Sequence, residues 1–104
     1  MDKDNLKEYN NNMYFKSSWK FAKNFLVYEN ILKEYTTLRN NIINEYYTEN
    51  ISNGYNNYDA YRYAIKRLQF SVRLKNKKIE LNNSYINKNN SLINYDKYFY
   101  IYNN

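Results

Sequence analysis

The chain has 104 residues, a formal net charge of +6, and neither cysteine nor histidine. Its length suits one small domain, and the missing residue types exclude disulfides, thiolate or imidazole metal sites, and catalysis by Cys or His. The positive charge favours an acidic partner, which means nucleic acid, an anionic membrane or an acidic protein.

Asn, Lys, Tyr and Ile dominate the composition, and 15 residues are tyrosine. An AT-rich codon usage accounts for many of these residues without any function. No apolar run reaches about 18 residues, so no transmembrane helix is predicted. The first residues lack an apolar segment and include Asp2, Asp4 and Glu8, so neither a secretory signal nor a conventional mitochondrial presequence is predicted.

The first half of the chain predicts helix after a polar start. Residues 1–13 are rich in Asn and are expected to form a flexible leader. Apolar residues then recur at spacings of four and three, which predicts an amphipathic helix. This stripe consists of Phe21, Phe25, Tyr28, Leu32 and Tyr35. Thr36–Thr37 is a weak interruption, so residues 38–50 form either a second helix or a continuation of the first.

Asn53–Gly54 is the strongest turn signal in the chain, and it predicts the end of the preceding helix. The next predicted helix begins near Asn57 or Asp59, either of which can cap it, and fades near Asn76. Its apolar residues are spaced by three and four, as expected for one face of a helix. They are Tyr58, Tyr61, Ile65, Leu68 and Val72.

A basic flank accompanies this apolar stripe. Arg62, Lys66 and Arg73 fall on one side of a continuous helix at 3.6 residues per turn. A solvated helix face is one explanation of this pattern. The other is a recognition surface, since charge beside an apolar stripe suits an acidic partner protein.

The C-terminal part is less regular in sequence. Residues 82–94 are a low-complexity stretch rich in Asn and Ser. The aromatic residues 95–102 are expected to form a docking helix, a short strand or a disordered tail. The helix is preferred because a lone strand has no partner. It would dock by Tyr95, Phe99 and Tyr102. The predicted organisation is therefore a leader (1–13), a helical domain (14–81) and a low-complexity region with an aromatic terminal segment (82–104).

Two short motifs resemble those of the mitochondrial LYR proteins. Val27–Lys33 is similar to the family's first-helix motif, Leu-Tyr-Arg followed by Leu-Leu-Arg, with Glu29 in place of the arginine. Residues 63–73 are similar to the second-helix motif, in which Tyr-Ala precedes basic residues and a later Phe-Arg; Val72 stands for the phenylalanine. In this register the closest similarity is to the LYR adaptor that stabilises the mitochondrial cysteine desulfurase, with an Asn-rich insertion between the motifs.

A second register needs no insertion. Arg39, Ile42 and Tyr46 then match the family's second helix, and residues 58–73 become the third helix. That register resembles the LYR factor that assists succinate dehydrogenase assembly. Both registers use Val27–Lys33 as the first motif.

The resemblance implies an all-α fold, a small antiparallel three-helix bundle, in the mitochondrial matrix. It implies a non-enzymatic adaptor in iron–sulfur cluster biogenesis that binds no cofactor directly. Its partners would be a cysteine desulfurase or respiratory-complex subunit and an acidic acyl carrier protein, whose acyl-phosphopantetheine enters between the helices. The expected partner contacts are Tyr28, Lys33, Arg62, Lys66, Arg67 and Arg73. The residues expected to line the acyl channel or core are Phe21, Phe25, Leu32, Ile65, Leu68 and Val72.

Two other functions remain open on the sequence. One is an assembly factor or small accessory subunit of a mitochondrial respiratory complex. The other is a small basic ribosomal or RNA-binding subunit, which the net charge and the Tyr/Lys composition favour. The ten carboxylates are scattered and form no acid–base or metal-ligand pair by spacing, so no enzyme is predicted.

Overall fold

The computed structural model describes residues 3–103 and is all-α, which confirms the predicted class. In chain order its elements are α1 (Lys3–Ser52), α2 (Asn57–Arg67), a 3-10 turn (Leu68–Phe70) and α3 (Val72–Asn103). None of the three helices in this range has the length and apolar character needed to cross a membrane. The predictions that fall on Met1, Asp2 and Asn104 lie outside the described residues.

The chain divides into two compact units, which we name by their position in the sequence. The central unit is residues 30–81. The terminal unit combines residues 3–29 with residues 82–103. Each unit contains parts of α1 and α3, whereas α2 belongs to the central unit alone.

The expected flexible leader is helical from Lys3 onward. Leu6 and Asn10 line a depression in the terminal unit together with Ile101 and Tyr102 of α3. A polar sequence therefore continues α1 here because the end of α3 lies against it, since packing routinely overrides weak local preference.

Residues 38–50 continue the first helix, which settles the alternative left by Thr36–Thr37. Thr36 donates a hydrogen bond from Oγ1 to the carbonyl oxygen of Leu32 at 3.0 Å. A threonine hydroxyl that bonds back four residues is compatible with an unbroken helix. Of the two predicted alternatives, the continuation of the first helix is therefore confirmed.

The turn at Asn53–Gly54 is confirmed as the end of α1. Gly54 has φ +92°, and its N–H bonds to the carbonyl of Ile51 at 3.0 Å. The N–H of Tyr55 reaches the carbonyl of Asn50 at 3.1 Å. These two bonds form a Schellman motif, which favours glycine at the left-handed position.

Replacing Gly54 with Ala is expected to lower the free energy of unfolding by about 1 kcal/mol, because a Cβ is disfavoured at this φ. No atom lies within 4 Å of the Cβ that alanine would add, so the cost comes from the backbone alone. Urea unfolding followed by circular dichroism measures it. Gly54→Asn should lose less, since Asn tolerates the left-handed region; equal losses would contradict the backbone explanation.

The helix predicted from about residue 57 to about residue 76 is divided in the structure, because α2 ends at Arg67 and α3 begins at Val72. Asn56, and not Asn57 or Asp59, caps α2 by accepting the N–H of Asp59 at 2.8 Å. At the other end, Ser71 has extended backbone (φ −76°, ψ 114°), and its Oγ accepts the N–H of Leu74 at 3.3 Å. Ser71 thus serves as the N-cap of α3, and the chain changes direction there.

The core of the central unit is small and aliphatic. Its buried residues come from α1, α2, the 3-10 turn and α3, with Tyr35, Leu38, Tyr46 and Tyr47 packed around them. They are Ile42, Ile43, Ala64, Leu68 and Leu74.

The buried face of α2 differs from the predicted stripe. Ala60 and Ala64 are fully buried, whereas Tyr58 is 74% and Val72 68% exposed. Tyr61 and Ile65 are exposed as well. Two alanines four residues apart let the α2 backbone approach its neighbours closely, which larger residues on that face would prevent. Leu68 alone of the predicted stripe is in the core.

In the terminal unit, α1 and α3 pair antiparallel along regular seams. Asn24 Nδ2 lies 3.2 Å from Ser91 Oγ, and the Tyr28 and Tyr85 ring centroids are 5.8 Å apart. The seam of α1 is Tyr14, Ser17, Phe21, Asn24 and Tyr28, and that of α3 is Ser84, Lys88, Ser91, Tyr95 and Tyr98. Both show the alternating three and four spacing of paired helices.

The aromatic C-terminal segment is helical, as preferred over a strand or a disordered tail, and forms the end of α3. The ring of Tyr14 stacks on Tyr102 at 4.4 Å, and that of Phe21 stacks on Tyr95 at 5.8 Å. Aromatic pairs at these separations add stabilisation beyond their buried area. The Asn-rich stretch 82–94 is helical because small serines within it, Ser84 and Ser91, are buried in the seam.

Candidate partner-binding site

Every acidic residue of the central unit is held by a cation of the same unit. Three ion pairs connect α1 to the later part of the unit. They are Arg67–Glu49 at 2.9 Å, Arg73–Glu45 at 2.7 Å and Lys77–Glu34 at 2.9 Å. Lys77 also reaches Glu80 at 3.0 Å, and Arg62 reaches Asp59 at 3.6 Å. Such exposed pairs add little stability, but they occupy these cations.

The basic flank predicted on one helix is therefore not a single surface. Arg62 and Lys66 belong to α2, whereas Arg73 follows the break at Ser71 and belongs to α3. The guanidinium of Arg67 also lies 4.1 Å from the ring centroid of Tyr46. Two of the predicted partner contacts, Arg67 and Arg73, are thus engaged with α1.

Two carboxylates favour the charged form of Lys77. Its hydrogen bonds with Glu34 and then Glu80 raise the pKa of its ammonium group above the ordinary lysine value. Because the raised pKa favours the protonated form, the pairing contributes at neutral pH and is lost only as pH rises through the lysine range. Lys77 is therefore committed to its two carboxylates.

A different set of cations remains available. Arg39, Lys75 and Lys78 form no ion pair with any carboxylate in residues 3–103. All three line one open cavity of about 320 Å³, which we call the basic cavity. Its other lining residues are Tyr35, Leu68, Gln69 and Leu74.

The basic cavity combines charge with an apolar floor. Leu68 and Leu74 are 9% and 8% exposed and belong to the core. At the rim, Lys78 Nζ lies 5.3 Å from the ring centroid of Tyr35, which orients its ammonium group. No carboxylate lines the cavity. A ligand that carries negative charge next to an apolar group suits this arrangement.

The first motif residues do not line this cavity. Tyr28 belongs to the terminal unit, where it is half-buried and its ring centroid lies 4.3 Å from Lys88 Nζ. Glu29 is half-buried in the same unit, and Lys33 is exposed in the central unit.

The six predicted channel or core residues are dispersed. Leu68 is buried, and Phe21 is half-buried against Tyr95. Phe25, Leu32, Ile65 and Val72 are exposed and are not part of the core of this chain. Each helix has apolar residues on more than one side, so spacing alone does not identify which of them pack in the core of this chain.

Sequence reasoning misses Lys75 and Lys78 as site residues, because they fall at the predicted C-terminal end of a helix, where cations are favoured without any function. Their spacing of three, which places both on one helix face, was the available signal.

Among residues 3–103, no cluster of three or more Asp, Glu, His or Cys forms a metal-binding set. Comparison with protein-family models, with curated proteins and with solved structures gives no match for this chain.

Proposed function

We propose that this chain is a non-enzymatic helical adaptor that binds an acidic partner protein at the basic cavity. The observation that carries the proposal is the rim of Arg39, Lys75 and Lys78, which no carboxylate of residues 3–103 neutralises, above the apolar floor of Leu68 and Leu74. An acidic helix laid over this cavity would place its carboxylates at the rim and an apolar group on the floor.

The specific form of the proposal is an LYR-like adaptor of the mitochondrial matrix, with the antiparallel three-helix bundle of that family. It would stabilise a cysteine desulfurase complex in iron–sulfur cluster biogenesis, with an acyl carrier protein as partner. Two features support this assignment: the Val27–Lys33 motif, and a cavity whose charge and apolar floor suit an acidic carrier with an acyl chain. The acyl-phosphopantetheine belongs to the carrier and is not a cofactor of this chain.

A second candidate is an assembly factor or accessory subunit of a respiratory complex. One observation favours it, namely that Arg39 lines the basic cavity. In the register that needs no insertion between the motifs, Arg39 matches the arginine of the family's second helix. In this candidate the same cavity would bind the acyl carrier protein, and the complex served would differ.

Charge reversal of the cavity tests its role. The triple change Arg39→Glu, Lys75→Glu and Lys78→Glu is expected to weaken binding of an acylated acyl carrier protein at least about tenfold, because three favourable contacts become repulsive. Isothermal titration calorimetry measures the affinity, and circular dichroism confirms that the variant remains helical.

The basic flank provides a control for the double cavity variant Lys75→Glu and Lys78→Glu, which reverses the same number of charges. Changing Arg62 and Lys66 to Glu also reverses two charges of the central unit, but neither residue lines the basic cavity. Binding should be weakened less than by the double cavity variant. A larger loss in the flank variant would place the partner on α2 and contradict the proposed site.

Copurification from the native host tests the identity of the partner. Tagged protein should recover an acyl carrier protein together with either cysteine desulfurase or respiratory-complex subunits, and which of these appears separates the two candidates. Recovery of ribosomal components in a strongly salt-sensitive manner, without any acyl carrier protein, would overturn both and favour RNA binding.

A further inference from the structure

The first part of α1 carries an exposed aromatic and apolar ridge. In the terminal unit, Trp19 is 78%, Phe15 59% and Leu26 58% exposed. These residues lie four and seven positions apart, so they share one helix face, and the span from Phe15 to Leu26 is about 16 Å at the α-helical rise. Large apolar side chains this exposed on one face mark an interaction surface.

Three lysines accompany this ridge. Lys16 and Lys23 lie three residues before and four residues after Trp19, which places them beside it on the helix surface. Lys20 adjoins the same edge. Residues 9–28 contain no Asp or Glu. None of these lysines forms an ion pair with a carboxylate in the described part of the chain. We call Phe15, Trp19, Leu26 and these three lysines the lysine–aromatic face.

The lysine–aromatic face points away from the helix pairing. The seam residues of α1 in this region, Ser17, Phe21 and Asn24, are buried or half-buried. Trp19 falls between Ser17 and Phe21 in sequence, about 200° from each around the helix, and therefore on the outer side. Pairing with α3 leaves Trp19 and Leu26 free and reaches this face only at its edges, where the ring centroid of Phe15 lies 5.9 Å from that of Tyr102 and Lys20 lines a depression shared with Asn90 of α3. Trp19 and Leu26 therefore form a second apolar side of α1.

We propose that the lysine–aromatic face binds the surface of an anionic phospholipid bilayer, with this part of α1 parallel to the membrane plane. The charge complementarity is direct, since the face offers lysines without acidic residues to a negatively charged surface. Trp and Phe are the side chains that favour the boundary between headgroups and acyl chains, with lysines reaching toward the phosphates.

The composition of the face favours lipid over a partner protein. Its exposed Trp19, Phe15 and Leu26 stand next to lysines, and residues 9–28 contain no carboxylate. A lysine-rich polar side beside Trp, Phe and Leu is the composition of helices that lie in the membrane interface. This inference goes beyond the proposed adaptor function and uses none of the residues of the basic cavity.

Trp19 allows a direct test because it is the only tryptophan in the chain. Full-length protein is titrated with vesicles of phosphatidylcholine alone or of equal parts phosphatidylcholine and phosphatidylglycerol. The emission of Trp19 should shift to shorter wavelength, and the protein should cosediment, only with the anionic vesicles. No shift with them at low ionic strength, or an equal shift with neutral vesicles, would overturn the proposal.

Neutralising the lysines distinguishes binding through this face from attraction by the net positive charge of the whole chain. The triple change Lys16→Gln, Lys20→Gln and Lys23→Gln should weaken partitioning by about fivefold per lysine, or roughly 100-fold in all. The matched control changes Arg39, Lys75 and Lys78 to Gln, which removes the same charge from the basic cavity. At about 0.15 M salt, where the Debye length is about 8 Å, it should leave partitioning within about twofold, since screened charges outside the contact contribute little. Equal losses would contradict a localised face.

A second variant tests the apolar contribution and keeps the reporter. Leu26→Gln should weaken partitioning, whereas Ile93→Gln, which alters a 69% exposed residue of α3, should not.

A Trp19 shift that grows with protein concentration in the absence of lipid would show self-association through this face. A shift produced by an acidic polyglutamate peptide but not by anionic vesicles would show a protein-binding surface. Either result would overturn the lipid assignment.

Discussion

Replacing Ile42 with Ala is expected to lower the free energy of unfolding by about 3 kcal/mol. Ile42 has no exposed surface and is the largest side chain among residues 3–103 to be fully buried. Removing three carbons there costs their transfer free energy and leaves a cavity that the helices around it fill only in part. Guanidinium or urea unfolding, fitted as a two-state transition, measures the change.

Ile79→Ala is the matched control for this prediction. It removes the same atoms from α3 of the central unit, where the side chain is 59% exposed. We expect a change within about 0.5 kcal/mol. Similar losses at the two positions would mean that the aliphatic cluster around Ile42 is not the core that stabilises this unit.

Enlarging Ala64 to Leu is expected to cost about 1–3 kcal/mol and to loosen α2 in particular. Ala64 and Ala60 are fully buried, so the added carbons have no room unless α2 moves outward. The helix spans only Asn57–Arg67, and a helix this short depends on its packing for stability. Hydrogen exchange of the α2 amides should therefore accelerate more than that of α1.

Ala22→Leu separates overpacking from a general effect of leucine. Ala22 is the one other alanine of the chain and is exposed on α1. The substitution there should leave the unfolding free energy nearly unchanged, because both residues are good helix formers. Unaltered exchange of the α2 amides in Ala64→Leu would show that larger side chains fit beneath this helix.

Some of the fold follows from local chemistry in the sequence. Gly54 identifies the end of α1 because only a left-handed turn explains an Asn-Gly pair after a helical pattern. The all-α class follows from apolar spacings of three and four. Ser71 was missed because a serine with apolar neighbours reads equally well as a helix interior, and its cap hydrogen bond requires α3 to leave in a new direction.

The core and the candidate site were harder to predict, for a related physical reason. Fifteen tyrosines and many isoleucines create several apolar stripes on each helix, and most are partly exposed. The stripe that is buried on α2 is marked by two small residues, Ala60 and Ala64, which a search for large apolar groups passes over. Likewise, the sequence predicts Arg67 and Arg73 as partner contacts, whereas in the fold they pair with Glu49 and Glu45 of α1.

The two units differ in the sequence separation of the segments that must come together to form them. Residues 30–81 are continuous, so their contacts form between segments joined by short turns. The terminal unit brings together two segments that the whole of residues 30–81 separates along the chain. Closing so long a loop carries an entropic cost that grows with its length, unless the intervening residues are already ordered. Contacts of low sequence separation form faster, which makes the continuous unit the natural nucleus of folding for this chain.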